Sequence, residues 1–276
     1  MTPTPPPSGY GRHQKPRSGH LARLTTNPAR RLRVRAAAVG LLAIALVVSC
    51  DTAAPPPDAT PRLPVSAVQG NGRISGRVLF NAAPPRVKML RNVPCCPGAP
   101  GELKDESVVV NANGTLANTF VYLEGGPRAE GSSLPKKSLD QVFCRYVPHV
   151  VGVVVGQTLH VRSSDRATHN VHYKPRYSPA QNFWMNAPGE GSDTTFKAAE
   201  FVKTGCDVHP WMSAHIGVFD NAFFAITGED GAFDITGVPA GTYALVAWHE
   251  RYGRLETNIT IGAAPLTHDF TYAPPP

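Results

Sequence analysis

The stretch CDVHPWM, residues 206–212, sets a cysteine, a histidine and a methionine three positions apart in succession. These are a thiolate, an imidazole and a thioether, the soft donors that select copper over harder ions. A blue-copper site needs two imidazoles and one thiolate in a near-trigonal plane, with a weak thioether on the axis. One tight loop can aim Cys, His and Met inward together, and the second imidazole must then come from a distant strand. The segment THNVHY, residues 168–173, supplies His169, 37 positions before Cys206. Zinc also takes cysteine and histidine, but a long axial methionine suits copper cycling between Cu(I) and Cu(II).

Such donors need a rigid frame, and the pattern around them is β almost throughout. RISGRVLF alternates apolar and polar residues, and SVVVNANGTLANTFVYLEG reads as two apolar runs about an Asn-Gly turn. HVVGVVVGQTLHVRSSD reads as a hairpin turning at Gly156, and AITGEDGAFDITGVPAGTYALVAWHE alternates around Gly- and Pro-containing turns. Only DTTFKAAEFVKTG approaches a helical stripe. Strands at short, regular spacing predict an all-β chain of β-sandwiches.

Two resemblances sit on these segments. GRISGRVLF, ANTFVYLEGG and TGEDGAFDITGVPAGTYAL resemble successive strands of the carboxypeptidase-regulatory-like (transthyretin-like) sandwich. THNVHY followed by CDVHPWM resembles the cupredoxins, those of the amicyanin type in particular, over about residues 138–219. The resemblance implies a Greek-key sandwich with copper held by His169, Cys206, His209 and axial Met212. It also implies that Asn170 ties its strand to the ligand loop and points its backbone N–H at the cysteine sulfur, which fixes and tunes a metal–thiolate centre. Asp207 stands where the family commonly has threonine. The expected organisation is a cupredoxin-like domain at 136–219, inserted in or abutting a transthyretin-like sandwich at 71–135 and 220–276.

Other residues have simpler readings. His172, two positions from His169, is expected to be a satisfied strand histidine, and His215 a surface one. His149, His160 and His249 read as structural. Trp184 and Met185 read as core or lid packing. Pro210 and Trp211 flank His209, and an apolar rim there would suit a small, transient docking patch for a redox partner. With no nucleophile–base set, paired carboxylates or phosphate loop, an enzyme is not expected.

The formal charge of +7 does not point to nucleic acid. Residues 1–49 hold eight of the 27 Lys and Arg and none of the 20 acidic residues, so the remainder carries 19 against 20. The leader joins RRLRVR to the apolar run AAAVGLLAIALVV and ends in VVSC, like a bacterial lipoprotein signal with Cys50 as the lipidated residue. Residues 1–50 are therefore expected to be leader, and 51–70, rich in proline, a tether. An oxidising compartment allows a disulfide, and Cys144 is expected to pair with Cys95 or Cys96. The function expected is an exported, lipid-anchored one-electron carrier of the cell envelope. The alternatives are a copper-buffering or delivery protein and a surface adhesion module with a structural copper.

Overall fold

The computed structural model describes residues 61–90 and 103–273. The leader, the first ten tether residues, Cys50, Cys95 and Cys96 lie outside the described residues. All described residues fall in one compact unit, Thr52–Pro276. The described residues are all-β, with one helical segment among them, a 3-10 turn at Val65–Val68.

Strands of three or more residues are numbered in chain order. Strands β1 (Gly72–Phe80) and β2 (Phe120–Glu124) are followed by β3 (Lys137–Gln141), β4 (Val150–Val154), β5 (Leu159–Ser163), β6 (His169–Lys174) and β7 (Gln181–Met185). Next come β8 (Gly191–Thr194), β9 (Glu200–Gly205), β10 (Ser213–Phe219) and β11 (Phe224–Ile226). The last are β12 (Ala232–Val238), β13 (Gly241–His249), β14 (Gly253–Ile261) and β15 (Phe270–Tyr272).

They form four main sheets. One has the order β7–β6–β9–β10–β4, and a second has β8–β5–β3 with Tyr146–Val147 beyond β3. These two enclose a core of Leu139, Val153, Val161, Tyr173, Val202 and Ile216, which also contains Cys206 and Met212. A third sheet runs β11–β2–β13–β14, and the fourth pairs β1 with β12, β15 and Leu266–Thr267. Their core includes Ile74, Val78, Val121, Leu123, Ile235 and Leu245.

The period-2 alternation of strands explains how the two pairs of sheets meet. On β2, Val121 and Leu123 enter one core, while Phe120 and Tyr122 turn outward. On β13, Leu245 and Ala247 face inward, and Val246 and Trp248 face out. The outward set packs on Val150, Phe201 and Phe219, making an aromatic seam in which Phe201 stacks on Trp248 at 4.0 Å. Gly152 on β4 lies at this seam, where an added Cβ would come within 2.3 Å of the Phe224 ring. Phe224 is itself stacked on Phe219 at 4.4 Å and has little room to yield. Gly152→Ala is expected to cost about 1–3 kcal/mol, measurable as a lower urea midpoint at unchanged slope.

Two sequence expectations are corrected. HVVGVVVGQTLHVRSSD is not a hairpin: β4 pairs in parallel with β10, and β5 in parallel with β3, in different sheets. Gly156, with φ +83°, turns the corner between the sheets, and Gln157 braces it, accepting from Val154 N–H and donating to Pro135 O. DTTFKAAEFVKTG contains no helix; it holds the end of β8 and all of β9.

Candidate metal centre

The candidate site lies at the end of the first sandwich where β6 begins and the β9–β10 loop passes over it. His169 is the first residue of β6, and Cys206 to Met212 form the loop. The loop is closed like a turn: Met212 N–H donates to His209 O at 2.8 Å and Cys206 N–H to Met212 O at 3.4 Å. His169, Cys206, His209 and Met212 are all buried.

The structure brings three donors together. The Nδ1 atoms of His169 and His209 stand 2.9 Å apart, and Cys206 Sγ is 3.7 Å from His209 Nδ1. Asn170 N–H donates to Cys206 Sγ at 3.5 Å, and Asp207 N–H donates to Asn170 Oδ1 at 2.6 Å. Asp207 Oδ2 accepts from Asn170 Nδ2 and Asn182 Nδ2, both at 2.8 Å, and Oδ1 lies 2.9 Å from His172 Nδ1. The aspartate thus ties the loop to β6 and β7, and His172 is its partner.

Asp165, which sequence reading passed over, anchors the first imidazole. Its Oδ2 is 2.9 Å from His169 Nε2, which leaves Nδ1 facing the other donors. The same carboxylate accepts the N–H groups of Phe143 at 2.7 Å and Cys144 at 2.8 Å. Both residues have left-handed backbones, φ +52° and +53°, a conformation that costs non-glycine residues roughly 1–2 kcal/mol each. In return, two successive N–H groups point at one anion. The only sequence signal for Asp165 was an acid four positions before a candidate ligand.

Electrostatics favour the forms that a cation requires at Cys206 and His209, and oppose them at His169. Burial raises the Cys206 thiol, but hydrogen bonds from His169 and the Asn170 N–H outweigh it and bring the pKa below the ordinary range. Burial, helped by the nearby His169 charge, keeps His209 low and neutral. For His169, burial opposes protonation, but Asp165 and the Cys206 sulfur prevail and lift it to about 9. A metal at Nδ1 would replace that proton.

One donor atom each from Cys144, His169 and His209 also fits within 4.8 Å. The Cys144 sulfur is disulfide-bonded and so not available as a thiolate. Cys206 is the free thiol among the described residues, and the partner of Cys144 lies outside them. Tyr146 Oη sits 2.9 Å from Asn170 O and 3.0 Å from Gly205 O, bridging the segments that carry His169 and Cys206.

The remaining candidates disperse. Met185 is buried and its sulfur accepts from Gln141 Nε2 at 3.3 Å. Trp184 is not core: it is 61% exposed, because it lies on the outer face of edge strand β7. Trp211 is half-buried, its indole N–H donating to Cys144 O at 3.1 Å. His215 is not a surface residue but 8% exposed, covered by the second sandwich. His160 pairs with Asp193, and His249 stacks on Tyr252.

No protein-family model and no curated protein matches the chain. Solved structures that it is similar to include the copper-containing nitrite reductase of Thermus scotoductus SA-01, at 22% identity and TM-score 0.28. That match covers 31% of this chain and only 22% of the reductase. Amicyanin from Paracoccus versutus matches at 17% identity and TM-score 0.28, over 36% of this chain and 97% of amicyanin. A purple cupredoxin from Nitrosopumilus maritimus matches at 18% identity and TM-score 0.27, over 30% of this chain and 99% of that one. Likeness at this level decides nothing about the site; the donor geometry carries that.

Proposed function

We propose that the chain is an exported, membrane-tethered protein that holds one type 1 copper and carries single electrons. The observation behind this reading is that His209 Nδ1 lies 3.7 Å from the free Cys206 sulfur and 2.9 Å from His169 Nδ1. The donor set fits copper: His169, His209 and Cys206 would hold it, with the Met212 thioether as a fourth, weaker donor. Copper bound there supplies a one-electron couple. The chain's own part is to keep the donors from moving when the charge changes. Asp165 fixes the His169 ring, Asn170 N–H holds the sulfur, and Asp207 clamps the loop.

In this reading residues 136–219 are a cupredoxin-like copper domain, and 71–135 with 220–276 are a transthyretin-like sandwich that carries it. Cys50 bears the lipid and 51–70 the tether, which places the chain in the cell envelope. A redox partner docks at the tip of the loop, where Val208 and Pro210 are exposed over His209. Trp211 is turned inward by its bond to Cys144 O and backs the patch. The chain is a carrier and not an enzyme.

Voltammetry of the copper-loaded chain tests the reading. One reversible one-electron wave is expected; copper that exchanges readily and gives no reversible wave would favour buffering or delivery. Asp207→Asn removes a carboxylate next to the thiolate residue. It is expected to raise the potential by on the order of tens of mV at low ionic strength, and less at high salt.

A further inference from the structure

The aromatic seam ends, at the turn between β13 and β14, in three ionisable side chains. His149 precedes β4 and His215 lies on β10. The strands are parallel neighbours, and His215 N–H donates to His149 O at 3.0 Å. Their rings stand 6.3 Å apart, both buried. Glu250 reaches them from the turn of the second sandwich, its side chain only 10% exposed. Glu250 Oε1 is hydrogen-bonded to His149 Nε2, while Oε2 lies 3.5 Å from His215 Nδ1.

That second spacing is too long for a good hydrogen bond, and His215 Nδ1 is buried without a hydrogen-bond partner. An orphan of this kind is destabilising, at a seam built otherwise from aromatic packing. One donor atom from each of the three residues lies within 4.8 Å of the others. Ligands ~2.1 Å from a tetrahedral ion stand ~3.4 Å from one another. The Glu250–His215 separation matches two ligands of one ion better than it matches a hydrogen bond.

We propose that His149, His215 and Glu250 form a second metal site, for a borderline divalent cation such as Zn²⁺. Two imidazoles and one carboxylate, with no sulfur, suit such an ion. Three protein ligands leave the fourth position to water. The neighbouring His249 stays out of the site, its Nδ1 accepting from Arg251 N–H and its ring stacked on Tyr252. The ion pins β10, the strand that follows Met212, to the second sandwich across the seam. The proposal does not depend on copper at the first site.

Co²⁺ titration of the full chain, followed by absorption, tests it. Co²⁺ at Cys206 gives an intense thiolate-to-metal band; Co²⁺ at the second site gives weak visible bands alone. Two Co²⁺ per chain are expected in the wild type, and one, with weak bands only, in Cys206→Ser. His215→Gln and Glu250→Gln should each bind one Co²⁺ and keep the thiolate band, which also shows that they have folded. One Co²⁺ in the wild type and none in Cys206→Ser would overturn the site. Weak-band Co²⁺ persisting in both glutamine variants would also overturn it, leaving His149–Glu250 an ordinary hydrogen-bonded pair.

Discussion

Asp165→Ala is expected to weaken copper binding by roughly 10–100-fold, the usual effect of removing the group that orients a ligand imidazole. No proposed copper donor is lost in this variant. What is lost is the acceptor at His169 Nε2, and with it the orientation that leaves Nδ1 to the metal. The Phe143 and Cys144 N–H groups lose their anion as well, while their left-handed backbones keep their cost. Stability should therefore fall by about 1–3 kcal/mol. Asp165→Asn separates the two effects. Its single amide oxygen can still accept from Phe143 N–H, so part of the stability should return. Its NH₂ group cannot accept from Nε2–H or Cys144 N–H, so copper affinity should stay low. Competition against a chelator of known affinity, with urea melts of the same samples, checks both. An Asp165→Ala chain that binds copper as tightly as the wild type would refute the anchoring role.

Phe120→Ala should produce the largest loss of stability, about 3–5 kcal/mol. The ring is fully buried and touches Phe201, Phe219 and Trp248 at 5.5–6.0 Å between centroids. Phe201 and Phe219 belong to one sandwich and Trp248 to the other, so the cavity opens at the seam between them. Thermal unfolding followed separately by near-ultraviolet signal and by copper absorption reads the result. The wild type should unfold in one transition, whereas Phe120→Ala should unfold earlier, and at the extreme in two steps. Coincident transitions at the wild-type midpoint would mean that the seam contributes little.

How much of this was legible in the sequence differs from feature to feature. The all-β class was readable because apolar residues alternate with polar or small ones over residues 72–78 of β1, 232–236 of β12 and 241–245 of β13. The candidate ligand loop was readable because Cys206, His209 and Met212 lie within one turn of chain, where spacing alone constrains geometry. Pairing between distant strands was not. The run 150–155 is apolar on both faces, and such a run does not say which strand it joins, so β4 looked like the first arm of a hairpin. His215 was misplaced for a related reason. Alternation puts it on the face of β10 opposite Ile216, but nothing local reveals that a second sandwich covers that face. Asp165 was missed because its role depends on the left-handed pair at 143–144, which brings two N–H groups in from 21 and 22 residues away. Trp184 reads as core or lid packing in the sequence, whereas its place on edge strand β7 leaves it exposed.

The most direct measurement is the absorption and EPR spectrum of the chain after addition of one equivalent of Cu(II), beside Cys206→Ser. An intense visible thiolate-to-copper band and a narrow copper hyperfine splitting are expected in the wild type, both absent from the variant. A pale, ordinary Cu(II) spectrum that is the same in both proteins would contradict the type 1 copper reading.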